Sequence, residues 1–192
     1  ALWCMDWPAM AAAAAAGLPA TAPVAVTLAN RVVACSAGAR AAGVRRGLRR
    51  RESQARCPRL HVAATDPGRD ARYFEGVVAA VDDLIPRAEV LRPGLLVLSV
   101  RGAARYFGSE HAVAERLVDA VAAAGAECQI GIADELPTAV LAARAGRIVD
   151  PGTDAEFLAP LSIRELAAEP SLSAVGRDDL ADLLWRLGIR TI

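Results

Sequence analysis

The sequence predicts an α+β fold: a split antiparallel sheet with helices on one face, a small lobe inserted after the first strand, and a truncated helical element at the end. Three observations predict it. An apolar strand-like run opens the chain and is cut off from the later strands by segment 9–63, whose texture differs. From Asp66 onward, helix, strand, strand, helix, strand and helix follow in order, each bounded by Pro, Gly or a capping Ser. Beyond Pro151 the pattern is helical and broken by Pro160, Pro170 and Gly188.

The elements are read in chain order. Ala1 to Trp7 is apolar and predicts a short buried strand; Pro8 and the alanine run then start a helix that Gly17 and Pro19 end. Val24–Thr27 and Arg31–Cys35 are β-branched runs on either side of Leu28-Ala29-Asn30, a hairpin signal. Ser36 caps a helix through Ala42 that Gly43 stops; a second helix covers Leu48–Arg56, and Leu60–Ala63 returns as a strand. Pro67 opens a helix to Leu84 with Tyr73, Val77, Val81 and Leu84 at helical spacing. Glu89–Leu91 and Leu95–Val100 form a strand pair or one bent strand around Pro93-Gly94. Ser109 caps a helix to about Ala124, Gln129–Ala133 is a buried strand, and Leu136–Ala145 is a helix closed by Gly146. The reading groups 1–8 with 64–152 as the main domain, 9–63 as the inserted lobe and 153–192 as the start of the terminal helical element. Both ends read as edges of a larger protein.

Composition excludes several classes of function. With 54% hydrophobic and 23% charged residues the chain carries a core and is not disordered. The 22 basic residues, all arginine, balance 22 acidic ones, so no overall field holds a polyanion, and nucleic-acid contact must come from a local patch. Cys4, Cys35, Cys57 and Cys128 are widely spaced, without the C-x-x-C pairs of a zinc site, and read as reduced, buried side chains of a cytosolic protein. His61 and His111 have no ligand-type neighbours, and Ser36 and Ser99 have no nucleophile setting. No run reaches the ~18 apolar residues of a membrane span, and no phosphate loop or dinucleotide fingerprint is present.

Arg45, Arg46, Arg49, Arg50 and Arg51 form the one dense basic cluster. Its two readings are a phosphate-contacting patch and a solvated helix face; it has no interleaved aromatics for base stacking.

Four stretches carry a family resemblance: Trp3-Cys4-Met5-Asp6-Trp7, Ala39 to Leu48 (ARAAGVRRGL), Ala88 to Val100 (AEVLRPGLLVLSV) and Gln129 to Ala133 (QIGIA). In order and spacing they resemble the palm and fingers of Y-family translesion DNA polymerases. The resemblance implies a palm over 1–8 and 64–152, fingers over 9–63 and a thumb from 153. Laid on the family's first-strand motif, its metal-binding Asp falls on Met5 and its second Asp on Trp7, with Asp6 between them. On the palm motif, the family's Ser falls on Arg92, its paired Asp and Glu on Gly94 and Leu95, and a later Asp on Ser99. The triphosphate-binding Tyr falls on Ala37 and a triphosphate-binding Lys on Val140, whereas the Arg is retained as Arg40. For Arg40 two readings stand, relic phosphate ligand or structural ion-pair partner.

Two-metal phosphoryl transfer needs several converging carboxylates to hold Mg²⁺ ions roughly 3.5–4 Å apart. A one-residue slip in strand register would return Asp6 alone, because side chains alternate across a strand. The resemblance therefore implies a palm kept as scaffold, with no catalytic residue, no metal and no cofactor. The start Trp-Cys-x-Asp-Trp-Pro and the turn Arg105 to Glu110 (RYFGSE) are most similar to the ImuB branch of that family, the degenerate subunits of actinobacterial SOS mutasomes. That branch implies a cytoplasmic, nucleoid-associated adaptor linking a sliding clamp, a RecA-like accessory subunit and an error-prone C-family DNA polymerase at damaged primer-template DNA, mostly through regions beyond this segment. The competing reading is an active translesion polymerase whose metal site uses Asp6 with displaced acids such as Glu89 or Glu110.

Overall fold

The computed structural model describes residues 1–165 and 177–192, so Pro170 lies outside the described residues. The chain divides into two compact units, Ala1–Trp3 with Val81–Ile192, and Cys4–Ala80. The sequence divided it instead at 8/9 and 63/64 and set 153–192 apart as a third element; here that segment falls within the first unit.

In the Cys4–Ala80 unit, helix α1 spans Trp7–Ala15, with Pro8 in its first turn where a missing N–H costs nothing. Strands β2 (Val24–Leu28) and β3 (Arg31–Cys35) pair antiparallel, and β4 (His61–Ala64) pairs parallel to β2, giving the order β3-β2-β4. Ala29 and Asn30, at φ 48 and 61, make the tight left-handed turn that the twist of a two-residue hairpin favours. Alternation along β2 divides the sheet: Val24 and Val26 pack with Ala9, Ala12 and Ala13 of α1, whereas Ala25 packs with Val32, Cys35, Val44, Cys57 and Leu60. Helix α2 (Ala37–Ala41) is capped by the Ser36 hydroxyl, which accepts from Ala39 N. Helix α3 (Arg50–Arg56) starts two residues later than its sequence predicts, because Leu48 and Arg49 pair with β3 instead. Helix α4 (Pro67–Leu84) has the predicted bounds; Asp66 caps it by accepting from Arg69 N at 2.8 Å. Its inward stripe is Phe74, Val77 and Val81, and Tyr73 is exposed. At 100° per residue, either neighbouring aromatic could have led that stripe.

The other unit carries the split antiparallel sheet, in the order β5-β6-β1-β7. Strand β1 is Leu2–Trp3 only, not Ala1 to Trp7: Asp6 has φ 56, and the chain turns there into α1. Strands β5 (Glu89–Arg92) and β6 (Leu95–Val97) form a hairpin. Strand β1 pairs with β6 (Trp3↔Leu95) and with β7, Gln129–Ile130 (Trp3↔Gln129). The reading of a strand to Val100 is corrected: it ends at Val97, and an unforeseen helix α5 covers Arg101–Phe107. Helix α6 (Glu110–Ala123) buries Val113, Leu117 and Val121, and its Ser109 cap accepts from Ala112 N at 3.1 Å. Helix α7 (Leu136–Ala145) buries its middle, Thr138 to Ala143. Helices α8 (Asp154–Leu158) and α9 (Arg177–Arg186) follow. Leu187 is 69% exposed; Trp185 is half-buried with Arg164 and Arg190 stacked 4.3 and 4.2 Å from its ring.

Cys4, Cys35 and Cys57 are buried, and Cys128 is half-buried. Among the described residues no helix is long and apolar enough to cross a membrane.

Candidate functional site

The β5–β6 connection is built from its own turn chemistry. Pro93 presets its φ and Gly94 takes φ 87, the pattern of a type II turn, so the chain reverses in two residues. Gly94 offers no side chain. Leu95, register-paired with Trp3, and Leu96, paired with Leu2, are both 0% exposed and are core of the sheet. Arg92 donates from Nη1 to Pro93 O at 3.1 Å, and Ser99 is exposed past the strand end. Oxygen ligands for a divalent cation are therefore absent from the two positions the resemblance assigns to paired acids.

In the Cys4–Ala80 unit, the turn Met5-Asp6 precedes α1. Asp6 holds its left-handed conformation while its carbonyl accepts from Ala9 N and Met10 N at 2.8 and 3.1 Å. Its Oδ2 accepts from Arg40 Nη1. The same guanidinium donates to Cys35 O at 2.9 Å and, through Nη2, to Met5 Sδ at 3.6 Å. Asp6 thus faces a cation, as a structural ion-pair partner would, and the hydrogen bond to it, ahead of its charge, holds the Arg40 proton more firmly than usual. Burial, followed by the nearby Asp6 charge, pushes the Cys35 thiol up.

Trp7 is 6% exposed. Its indole Nε1 donates to Asp70 O at 2.8 Å, and its ring meets Phe74 edge-on with centroids 5.0 Å apart. Beside it, Arg69 clamps one Asp70 oxygen through Nε at 3.0 Å and Nη2 at 2.7 Å. Burial still raises the Asp70 carboxyl above the ordinary range against that opposing cation. Asp70 escaped sequence reasoning; its signal, an Arg-Asp pair in the first turn of α4, is common on solvated helices.

Val140 is fully buried in α7. Gly131 allows that helix to lie directly on the chain after β7: a Cβ there would sit 1.9 Å from Ala143 N and 2.4 Å from Ala139 O. The start of α7 is held by reciprocal carboxylates. Asp154 accepts from Glu135 N at 3.0 Å, and Asp134 accepts from Gly152 N at 2.7 Å. Glu89 and Glu110, the displaced acids of the competing reading, both border one surface groove of this unit, together with Arg87 and Arg101. Among the described residues no group of three His, Cys, Asp or Glu side chains could hold a metal ion.

The basic cluster separates into parts. Arg45 donates from Nη1 to the carbonyls of Arg40 and Val44, Arg46 is exposed in a turn, and Ala37 is exposed on α2. Arg49, Arg50 and Arg51 instead line a groove of about 760 Å³ with Arg31, Asn30 and Gln54. Arg31 was missed. It sits 18 residues from Arg49, and only the pairing of β3 with the segment before α3 joins them.

The family model that matches, the IMS: impB/mucB/samB family, covers residues 6–144. The chain is similar to the DNA polymerase IV 2 of Mesorhizobium japonicum, 27% identical over 163 residues, 79% of this chain and 39% of that protein. Among solved structures it resembles an insertion ternary complex of the Dbh DNA polymerase, with TM-score 0.76, 17% identity, and 99% of this chain against 57% of that one. It also resembles the crystal structure of DinB from Sulfolobus solfataricus, with TM-score 0.72, 16% identity, and 99% against 57%. The chain thus spans about four-tenths of the curated relative and less than two-thirds of these structural neighbours. With a Y-family polymerase fold over its length and the family model over most of it, the chain belongs to the impB/mucB/samB family.

Proposed function

We propose that the chain is part of a non-catalytic, ImuB-type member of the family, an adaptor in SOS-induced translesion synthesis and mutagenesis. The observation that carries the proposal is Trp7. Where the family's first-strand motif has its second Asp stands an indole sealed into the core against Phe74 and Asp70 O. Packing of that kind goes beyond the loss of one acid, because returning a carboxylate would bury an unpaired charge. Three further features support it: the glycine and buried leucine at 94 and 95, the buried Val140, and the engagement of Arg40 by Asp6. In this reading Arg40 serves the fold and the chain does not grip a nucleoside triphosphate. Catalysis then belongs to a partner, an error-prone C-family DNA polymerase, which the adaptor joins to a sliding clamp and a RecA-like accessory subunit at damaged primer-template DNA. The place of action is the cytoplasm, at the nucleoid.

The test is primer extension with purified full-length protein, Mg²⁺ or Mn²⁺ and deoxynucleotides. No extension above a blank is expected. Extension abolished by Asp6→Ala would overturn the adaptor reading.

A further inference from the structure

Like charges placed directly opposite one another on paired strands cost stability, so a fold that builds such a pair with no carboxylate nearby leaves an electrostatic debt. The Cys4–Ala80 unit contains one. Val32 N donates to Leu48 O and Arg50 N donates to Asn30 O, both at 2.9 Å, and these two bonds flank the antiparallel bridge Arg31↔Arg49. That flanking pattern makes Arg31 and Arg49 a non-hydrogen-bonded pair, the type whose side chains stand closest, with Cα atoms about 4.5 Å apart. The first residues of α3 add Arg50 and Arg51 to the same groove.

Nothing acidic lines the groove, and among the described residues none of these four arginines has an ion-pair partner. The adjacent acid, Glu52, is engaged by Arg56 at 2.9 Å. Arg31 is also fixed in place, donating from Nη1 to Gly47 O at 2.9 Å, which leaves the rest of its guanidinium fork for a ligand. In a chain of zero net charge this concentration is local. No aromatic side chain lines the groove, so nothing there stacks on a base.

We infer that the Arg31–Arg49 pair, extended by Arg50 and Arg51, is a seat for consecutive phosphates of a nucleic-acid strand, read through the backbone and without sequence preference. The inference deepens the DNA-contact part of the adaptor reading. It also narrows the six arginines singled out in the sequence: Arg40 is held by Asp6 and Arg45 by backbone carbonyls, while Arg31 joins the set.

The experiment is fluorescence anisotropy of full-length protein with a labelled oligo-dT strand and, separately, a duplex of equal length, from 50 to 200 mM salt. With two phosphate contacts removed, Arg31→Gln/Arg49→Gln should soften the affinity loss over that fourfold salt range, by about sevenfold on the single strand or about twelvefold on the duplex. The arm that shows this change identifies the strand type. Thermal melting of the free protein checks folding: the double variant should melt at or above wild type, because a like-charge pair has gone. If that variant does not fold, Arg50→Gln/Arg51→Gln on the exposed start of α3 gives the same reading. A salt dependence unchanged on both nucleic acids would overturn the seat, as would a loss produced equally by Arg45→Gln/Arg46→Gln. Primer extension is read separately, so an active polymerase would sink the adaptor reading and leave the groove standing.

Discussion

Restoring the family's carboxylate at position 7 should break the protein before it restores any chemistry. Trp7 is 6% exposed, and an indole buried to that degree removes about 200 Å² from water, worth about 5 kcal/mol at 25 cal/mol per Å². Trp7→Ala gives back a little of that through the methyl group and leaves a cavity against Phe74, for a net loss of about 4 kcal/mol. With a urea dependence of about 2 kcal/mol per M, the unfolding midpoint read by circular dichroism should fall by about 2 M. Trp7→Phe keeps most of the ring and loses the bond to Asp70 O, so about 1–2 kcal/mol is expected. Trp7→Asp adds to the cavity a carboxylate beside Asp70, whose own carboxyl burial already raises. Its total cost should exceed that of Trp7→Ala and approach the whole stability of a domain of this size, about 5–15 kcal/mol. The ordering Phe, Ala, Asp is therefore the expected result. A Trp7→Asp protein that unfolds within about 0.5 M of wild type would refute the packing argument, and with it the observation that carries the proposed function.

Gly131→Ala should be far worse than Gly125→Ala: the first drives a Cβ into the backbone of α7, while the second meets open space and pays only for its positive φ. About 3 kcal/mol or more is expected at 131, a drop of roughly 10 °C in melting temperature, and equal effects at the two sites would contradict the contact. Burial pushes the Cys128 thiol up to about 11, so at pH 8 its thiolate is about 100-fold rarer than in the unfolded chain and labelling by a disulfide reagent should be correspondingly slow. Because its folded pKa is raised, the stability linked to Cys128 is complete below about pH 9 and is lost as pH climbs through about 11; labelling at the unfolded rate at pH 8 would contradict the burial.

Much of the candidate site could be read along the chain because the signals were local. Pro93-Gly94 announced a two-residue reversal where the family carries acids, and the structure has that turn, with Gly94 at φ 87. The Ser36 and Ser109 caps, the α4 bounds and the extent of α7 were likewise set by neighbours within one turn of helix. Where the reading failed, the deciding partner was distant. The first strand was read to Trp7 on hydrophobicity, yet it stops at Trp3, because Asp6 turns the chain and Trp7 finds its hydrogen bond 63 residues away at Asp70. Propensity predicts the helix before Pro58 from Leu48 onward, but Leu48 and Arg49 pair with β3 instead.

By itself, then, the sequence determined the tight turns, the helix caps and most of the element order, since residue identity and short-range φ/ψ preference specify these without reference to the rest of the chain. The tertiary structure alone decided that Arg40 faces Asp6, that Trp7 is core, and that Arg31 stands opposite Arg49. Those outcomes depend on which distant groups share a desolvated or cross-strand environment, where the energy of a pairing is set by burial and register rather than by the identity of either partner.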